Sequence, residues 1–246
     1  MQPASVFHKD TTESTMDDAR SAVLSGYGHG TLCTATKQNS GRGRIPGRKW
    51  EDDGEGALLF TLVIHENKCG VKYPVTQLLA LAVCQWLEDV HGLQPQIKWP
   101  NDVCISGAKI AGILVEKEGP FFLAGIGVNF RQNSFSKAFR QPATSLALAK
   151  GIHANQSHTE GFELSALLTR IELNLNVNPP IQEVIHRLRG IGFEVELCLG
   201  YPDQKKKLRG RMLGLQKDGA LLIELESGNT HAVYSGEIDG IQINTK

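Results

Sequence analysis

The sequence changes character near residue 193, and this change limits the chain to a two-part architecture. Beyond that point, short segments of alternating apolar and polar residues recur at even spacing, separated by turn-forming residues such as Lys217-Asp218-Gly219 and Ser227-Gly228-Asn229. This pattern is typical of a small β-barrel. The predicted strands are Glu194–Leu199, Leu208–Leu213, Ala220–Leu225, Thr230–Val233 and Ile238–Ile243.

Before residue 190, helical and strand patterns are mixed. The clearest helix has Pro74 as its first residue and ends at Gly92, and a shorter helix follows Ser14 as its N-cap. The other predicted elements are strands at Ser5–His8, Thr31–Thr36, Ala57–Ile64, Pro95–Trp99, Val103–Ile105, Ile110–Glu116 and Phe121–Val128, and helices near Gly161–Asn176 and Ile181–Arg189. We therefore predict an α+β fold, with a mixed-sheet domain over residues 1–190 and a small β-barrel domain over residues 191–246.

Composition excludes several classes of protein. The 26 Lys and Arg residues balance 26 Asp and Glu residues, whereas a dedicated nucleic-acid binder needs a surplus of cations. The five cysteines and eight histidines show no ligand spacing, so we expect neither disulfides nor a protein-bound metal. The N-terminus has no apolar signal segment, and no window has 18 apolar residues. We expect a cytoplasmic protein without a membrane partner.

A basic, glycine-rich segment is the first candidate site. Gly41-Arg42-Gly43-Arg44 is followed by Arg48, Lys49 and Trp50 within a polar segment that we interpret as a loop. The glycines allow backbone N–H groups to approach a ligand, the guanidinium groups suit phosphate or carboxylate, and the indole offers a surface for a base. A solvated basic loop explains this motif alone equally well, and the acidic residues among positions 51–55 favour that interpretation.

The segment Lys98-Trp99-Pro100-Asn101-Asp102 precedes a lysine in an otherwise apolar strand, Lys109. If Ser106-Gly107 is a two-residue hairpin turn, Asp102 lies diagonally opposite Lys109 on the same face of the sheet. A buried cation needs a partner. Two explanations stay open: a structural ion pair with Asp102, or a site completed by a bound anion. Gly112, in the same strand, leaves room for a ligand.

A third motif is Gly125-Ile126-Gly127-Val128-Asn129. It lacks the third glycine and the strand–turn–helix context of a dinucleotide-binding fingerprint. We interpret it as a strand whose glycines permit close approach and whose asparagine can hydrogen-bond a base or ribose. A strand end that merely tolerates glycine is the alternative.

In this order, the segments resemble the biotin protein ligases (biotin–acetyl-CoA-carboxylase ligases). The matching residues are Glu13-Ser14-Thr15, Gln38 with Gly41-Arg42-Gly43-Arg44 and Gly47-Arg48-Lys49-Trp50, Lys98-Trp99-Pro100-Asn101-Asp102 with Lys109, Gly112-Ile113-Leu114 and Glu116, and Gly125, Gly127 and Asn129. Asp218–Leu222 and Ser235–Ile238 resemble the SH3-like C-terminal domain of that family. Met16 stands where the family usually has asparagine, and Ile45-Pro46 replaces a single residue between the two arginine motifs.

The resemblance implies an ATP-dependent, two-step reaction. Biotin is activated as biotinoyl-5′-AMP, with Mg²⁺ screening the phosphates, and is then transferred to a lysine of a biotin carboxyl carrier protein or domain. The implied catalytic residues are Lys109, Arg44 and Asp102. The implied biotin-binding residues are Ser14, Thr15, Gln38, Gly41, Arg42, Gly43, Lys109 and Gly112. The implied adenylate- and ATP-binding residues are Arg42, Arg44, Arg48, Trp50, Asn101, Asp102, Lys109 and Asn129.

Many relatives carry an N-terminal DNA-binding domain, but few residues precede Ser14 here, so we expect a ligase that does not bind DNA. A homodimer is compatible with the resemblance. Two alternatives stay open: a lipoate or octanoate ligase or transferase, and a non-catalytic nucleotide- or nucleic-acid-binding module. The Lys98–Asp102 motif and the C-terminal barrel favour biotin, and the zero net charge counts against the module.

Overall fold

The computed structural model describes residues 2–50, 56–70, 73–135, 141–151, 160–200 and 206–242. The elements are β1 (Ser5–Thr12), α1 (Thr15–Leu24), β2 (Thr31–Gln38), β3 (Ala57–His65), α2 (Val75–His91), β4 (Pro95–Lys98), β5 (Asp102–Ile105), β6 (Ala108–Glu118), β7 (Phe121–Asn129), α3 (Leu146–Lys150), α4 (Glu160–Val177), α5 (Ile181–Ile185), β8 (Glu194–Leu199), β9 (Lys206–Leu215), β10 (Leu221–Glu224), β11 (Thr230–Val233) and β12 (Glu237–Gln242). Pro74 is the N-cap of α2 and not its first residue. The last predicted helix is shorter than expected, since α5 ends at Ile185.

Seven strands form the first sheet, in the order β1-β2-β3-β7-β6-β5-β4. β1 and β2 pair in parallel. Every other neighbouring pair in this sheet is antiparallel, which confirms the predicted mixed sheet. β3 is buried along almost its whole length. Its unbroken apolar run follows from this position, because a central strand covered on both faces needs no polar alternation.

Helices cover the two faces of this sheet unequally. The leucines of α2 pack with Ala124, Ile126 and Val128 of β7 in the main core. On the opposite face, Met16 and the alanines of α1 pack against the residues of β2, β3 and β7 that point the other way, among them Leu123. Within the described residues, α1 contacts β2, β3 and β7 but forms no comparable contact with β4 or β5. On this face, the part of the sheet over β4 and β5 is not covered by α1, and a ligand can approach there.

The β5–β6 hairpin forms as the sequence predicts. Ser106 and Gly107 have φ values of 48° and 84°, as a type I′ turn requires at both central positions. Cys104 is paired with Lys109, and a bulge beyond it sets Asp102 opposite Gly112. The turn fixes the pairing of Cys104 with Lys109, and the bulge brings Gly112 to the same side of the sheet as Asp102 and Lys109.

The second sheet is antiparallel, in the order β11-β10-β9-β8-β12. Its apolar side chains, including Leu197 and Met212, join Val184 and Leu188 in a core continuous with that of the first sheet. The α+β class with a second, all-β unit is confirmed. Closure of the second sheet into a barrel and a domain boundary at residue 190 stay predictions. Residue 243, where the last predicted strand ends, and the acidic positions 51–55 lie outside the described residues.

The turn before β10 docks on the first domain. The carbonyl oxygen of Gly219 accepts hydrogen bonds from Gln77 Nε2 at 2.9 Å and Trp99 Nε1 at 3.2 Å. Gly219 has a φ of +82°, and a β-carbon built on it would lie 2.5 Å from Gln77 Oε1 and 2.6 Å from Pro74 Cδ. Both the backbone conformation and the close approach therefore require glycine at this position.

We expect Gly219→Ala to lower the free energy of unfolding by about 2–4 kcal/mol, because left-handed strain and overpacking both act there. Gly228→Ala is the matched control: its φ is +79°, but a β-carbon there meets nothing within 4 Å. Gly228→Ala should therefore lower the free energy of unfolding only by the left-handed backbone strain, about 1 kcal/mol. Urea unfolding of the two variants measures the difference, and equal losses would contradict the docking of this turn.

Candidate active site

Three glycines form the floor of the main cavity, whose volume is about 600 Å³. We call Gly112, Gly125 and Gly127 the glycine floor. A β-carbon built on Gly127 would lie 2.8 Å from the ring of Trp50, and one on Gly125 would lie 2.8 Å from Met16 Sδ. Side chains at these positions would displace the groups above them, so glycine is what keeps this part of the sheet accessible.

A chain of polar side chains runs along one end of this floor. Lys109 Nζ lies 2.6 Å from Asp102 Oδ1, and Gln141 Nε2 donates to Asp102 Oδ2 at 2.9 Å. The side-chain oxygen Oε1 of Gln141 accepts a hydrogen bond from Lys98 Nζ at 2.7 Å. The structure therefore brings together Lys109 and Asp102 as predicted, and adds Gln141 and Lys98.

Residues 141–145 fix the backbone of Lys109. The amide of Lys109 donates to the carbonyl of Pro142 at 2.8 Å, and its carbonyl accepts from the amide of Thr144 at 2.9 Å. Asn129 Nδ2 in turn donates to the carbonyl of Thr144 at 2.9 Å. No local pattern in the sequence signals this pairing, since it joins segments more than thirty residues apart.

The two predicted adenosine-binding asparagines hold the cavity wall. Asn101 Nδ2 donates to the carbonyl of Ile113 at 2.9 Å, and the amide of Ile113 donates back to the carbonyl of Asn101 at 2.9 Å. Asn129 holds the segment that follows residue 140, as described above. Both side chains line the cavity, and their contact with a base or ribose stays a prediction.

The basic segment lies in a loop between β2 and β3, as predicted, and residues 41–50 of this loop fold back on themselves as a small hairpin with one isolated bridge between Arg42 and Lys49. Gly43 and Trp50 donate backbone hydrogen bonds to Arg48 and Gly41, at 2.9 and 2.8 Å. The turn spans residues 45–48, closed by a 3.0 Å hydrogen bond from the amide of Arg48 to the carbonyl of Ile45. Gly47 has a φ of +81°, so the proline and glycine occupy the central positions that a type II turn favours. We call residues 41–50 the arginine hairpin.

The arginine hairpin is held at both sides by its own guanidinium groups. Arg42 makes two 2.8 Å hydrogen bonds to the carboxylate of Asp17, and this pairing raises the pKa of Arg42 and lowers the pKa of Asp17. Arg44 donates to the carbonyl of Gly236 at 2.8 Å, while Arg48 makes two hydrogen bonds to Glu237. The hairpin therefore connects α1 with β12 across the mouth of the cavity.

The predicted biotin-binding residues near α1 form a small polar network. Ser14 is the N-cap, as predicted, and its hydroxyl accepts from the amide of Met16. Gln38 Oε1 accepts from Thr15 N at 2.8 Å and from Thr15 Oγ1 at 3.1 Å. Thr15 Oγ1 also lies 2.9 Å from Thr61 Oγ1. Met16 is buried against the glycine floor, so the polar contacts in this corner come from its neighbours.

Trp50 lies on the glycine floor, and the ring centroid is 5.5 Å from Lys109 Nζ. Its indole nitrogen is buried and has no hydrogen-bond partner among the described residues. A buried N–H without a partner is costly. The indole is therefore a donor that a ligand in this cavity can satisfy.

The buried cysteine thiols are not activated as nucleophiles. Burial raises the pKa of the Cys33, Cys69 and Cys104 thiols to about 11, which disfavours the reactive thiolate near neutral pH. Among the described residues, no group of three or more His, Cys, Asp or Glu side chains converges to hold a metal ion. The cations that line the cavity, among them Lys98, Arg42 and Lys109, suit it to holding anions.

Comparison with known proteins agrees with this geometry. Residues 9–133 match the Biotin/lipoate A/B protein ligase family, and residues 190–239 match the Biotin protein ligase C terminal domain. The chain is 29% identical to the Bifunctional ligase/repressor BirA of Bacillus subtilis over 248 residues, covering 95% of this chain and 73% of that protein. It is 32% identical to the Biotin–[acetyl-CoA-carboxylase] ligase of Mycobacterium tuberculosis over 238 residues, covering 92% and 85%.

A solved structure shares the whole architecture. The biotin protein ligase from Aquifex aeolicus in complex with biotin and ATP superimposes with a TM-score of 0.81 at 26% identity, covering 97% of this chain and 99% of that one. The family model covers half of the chain, and the Mycobacterium tuberculosis ligase is 32% identical over 92% of it, so the chain belongs to the biotin/lipoate A/B protein ligase family.

Proposed function

We propose that this protein is an ATP-dependent biotin–protein ligase, which makes biotinoyl-5′-AMP and transfers biotin to a lysine of a carboxyl carrier domain. The observation that carries the proposal is the Lys109–Asp102 pair at the end of the glycine floor, where a cation is held in place for an acyl phosphate. The relatives named as biotin ligases support biotin as the acid.

The first half-reaction needs positioning and charge stabilisation. An oxygen of the biotin carboxylate attacks the α-phosphorus of ATP, the bond from that phosphorus to the bridging oxygen breaks, and pyrophosphate leaves. No covalent enzyme nucleophile is required. We assign Lys109 to the carboxylate and the α-phosphate, with Asp102 orienting its ammonium group.

The arginine hairpin supplies further cations. We assign Arg44 and Arg48 to the adenylate, with Arg42 reaching both the biotin carboxylate and the phosphate. In the structure Arg42 is paired with Asp17, whose side chain is 46% exposed. Such an exposed ion pair contributes little free energy. Arg42 can therefore leave Asp17 and bind a phosphate with only a small loss of free energy.

The remaining assignments divide the cavity into two ends. The ureido ring and valeryl chain of biotin lie near Ser14, Thr15 and Gln38, with Gly41, Gly43 and Gly112 permitting close approach. The adenosine lies near Trp50, Asn101 and Asn129. The unpartnered indole nitrogen of Trp50 supports a ligand contact at that end.

Mg²⁺ enters in this proposal bound to the triphosphate of ATP. It typically binds through one or two carboxylates in addition to substrate phosphates, and Asp102, Glu237 and Asp239 line the cavity, which fits that role. The ion would reduce the negative charge that the attacking carboxylate meets.

In the second half-reaction, a lysine amine of the carrier attacks the acyl carbon of the adenylate, the acyl–oxygen bond breaks and AMP leaves. Dependence on ATP fits the cytoplasm as the place of action. No helix in the described part of the chain combines the length and hydrophobicity needed to cross a bilayer.

Mass spectrometry of an added carrier domain tests the proposed function. The domain is incubated with the protein and ATP together with biotin, lipoate or octanoate in parallel reactions. We expect addition of one biotinoyl group to one lysine, and none without ATP. Preferential addition of lipoyl or octanoyl groups would identify the alternative ligase, and no addition of any acid would contradict ligase activity.

We expect Arg44→Ala to release biotinoyl-5′-AMP into solution, because its guanidinium group joins the arginine hairpin to the carbonyl of Gly236 over the cavity. Arg209→Ala, in the exposed part of β9, is the matched control. Chromatography of the filtrate after incubation with ATP and biotin measures the escaped adenylate. Retention equal to that of the unmodified protein would count against closure by this arginine.

A further inference from the structure

Two cations of the cavity wall, Lys98 and Arg189, stand apart from those already assigned. Both line the main cavity. Lys109, Arg42 and Arg48 each pair with a carboxylate. By contrast, the hydrogen bonds of Lys98 and Arg189 in the described part of the chain go to neutral oxygens, Oε1 of Gln141 and the backbone carbonyl of Gly107.

The fold places these two side chains at the same corner of the sheet. The amide of Ile97 donates to the carbonyl of Arg187 at 2.7 Å, and the amide of Arg189 donates to the carbonyl of Ile97 at 2.9 Å. Residues 187–189 therefore run beside β4 as an added parallel partner. Arg189 Nη1 then reaches the carbonyl of Gly107, in the β5–β6 turn, at 3.3 Å.

Lys98 also belongs to the ligand-facing side of the sheet. It pairs with Asp102 across β4 and β5, whereas its neighbour Ile97 is fully buried in the core beneath. Asp102 does not neutralise it directly, because one carboxylate oxygen contacts Lys109 and the other accepts from Gln141. The amide of Gln141 is thus inserted between the carboxylate and the Lys98 ammonium group.

The charge of Lys98 is costly where it lies. Burial lowers the pKa of Lys98 below its usual value, Asp102, Cys104 and Glu237 oppose this effect, and Arg189 adds slightly to it. A half-buried ammonium whose direct hydrogen-bond acceptor is a neutral amide oxygen is stabilised by an anion. A guanidinium and an ammonium on the wall of one cavity are suited to phosphate oxygens.

We propose that Lys98 and Arg189 form a second anion subsite, which binds the β- and γ-phosphates of ATP and then the pyrophosphate that leaves. This inference rests on the proposed function and names the residues that bind the leaving group. The chain of contacts Lys98–Gln141–Asp102–Lys109 places this subsite beside the cation at the reacting centre. No bond to the protein forms: the electrons of the broken bond stay on pyrophosphate, and the two cations stabilise that charge.

Biotin-dependent exchange of labelled pyrophosphate into ATP tests the subsite. Lys98→Gln and Arg189→Gln are compared with Lys117→Gln, an exposed lysine of β6 that pairs with Glu66. We expect each subsite variant to raise the KM for pyrophosphate about tenfold or more, as loss of a charged hydrogen bond implies. The KM for biotin and the transfer from preformed biotinoyl-5′-AMP to a carrier should change less than about twofold, and Lys98→Arg should recover part of the loss.

An unchanged KM for pyrophosphate in folded variants would overturn the subsite. Slower transfer to the carrier with normal exchange would also overturn it, because the cations would then serve an acidic surface of the partner. Absence of exchange in the unmodified protein would instead contradict the proposed function.

A measurement on the unmodified protein covers the case in which a glutamine variant does not fold. With biotin present, inorganic pyrophosphate should protect Lys98 from acetylation by acetic anhydride, mapped by peptide mass spectrometry, and should leave Lys117 unprotected. Equal labelling of Lys98 with and without pyrophosphate would contradict the proposal.

Discussion

A Lys109→Met variant will fold and yet form biotinoyl-5′-AMP at least about 100-fold more slowly, the loss typical of removing one preorganised donor at a reacting centre. The ammonium group is held 2.6 Å from Asp102 Oδ1, and its side chain is 23% exposed. It is thus fixed before the substrates arrive and requires little reorganisation in the transition state. Methionine keeps most of the side-chain volume and removes the charge together with the N–H donors of the ammonium group.

Single-turnover release of pyrophosphate measures this loss. Lys117→Met is the matched control, since Lys117 lies in the same strand but pairs with Glu66 outside the cavity, and it should react at the rate of the unmodified protein. Circular dichroism and thermal unfolding establish that both variants are folded. Normal pyrophosphate release from a folded Lys109→Met protein would contradict the assignment of Lys109 to the reacting carboxylate and α-phosphate.

Gly112→Val should abolish measurable biotin binding and reduce adenylate formation by about 100-fold or more. A β-carbon at position 112 would lie 2.9 Å from Lys109 Nζ and 3.1 Å from Trp50 Cζ3. The branched side chain therefore displaces the ammonium group from its position and fills the glycine floor. Valine suits a strand, so the loss of stability should be that of local overpacking, about 1–3 kcal/mol.

Isothermal titration with biotin checks this expectation, with Gly70→Val as control because a β-carbon there meets nothing within 4 Å. If Gly112→Val bound biotin with unchanged affinity, the glycine floor would not be the biotin site.

The Lys109–Asp102 pair could be predicted from the sequence because it depends on local geometry. A two-residue turn of Ser106 and Gly107 fixes the pairing of Cys104 with Lys109, and Asp102 stays within reach of Lys109 although a bulge shifts the register beyond Cys104. The strand glycines Gly125 and Gly127 were likewise predicted to permit close approach, and they do form part of the cavity floor.

The sequence predicts the loop that contains the arginine hairpin, but not the hairpin itself. Pro46 and Gly47 occupy the two central positions of a turn, and such a pair marks a type II turn. The polar flanking residues carry no strand pattern that would indicate the pairing of Arg42 with Lys49. The two residues that depart from the family pattern, Ile45 and Pro46, thus help to build the turn.

Gln141 and Arg189 could not be predicted because their roles depend on the tertiary fold. Gln141 reaches Lys98 and Asp102 from a segment about forty residues further along the chain. Arg189 reaches the cavity because residues 187–189 pair with the edge of β4. No periodicity or spacing connects such positions, and only the folded chain shows them together.

Mass spectrometry of the small molecules bound after incubation with ATP, Mg²⁺ and biotin tests the central claim most directly. Without a carrier, the denatured protein should release biotinoyl-5′-AMP in an amount close to one per chain, and the Lys109→Met protein should release almost none. Biotin transfer to a carrier with no adenylate at any time point, or equal adenylate from both proteins, would contradict the account.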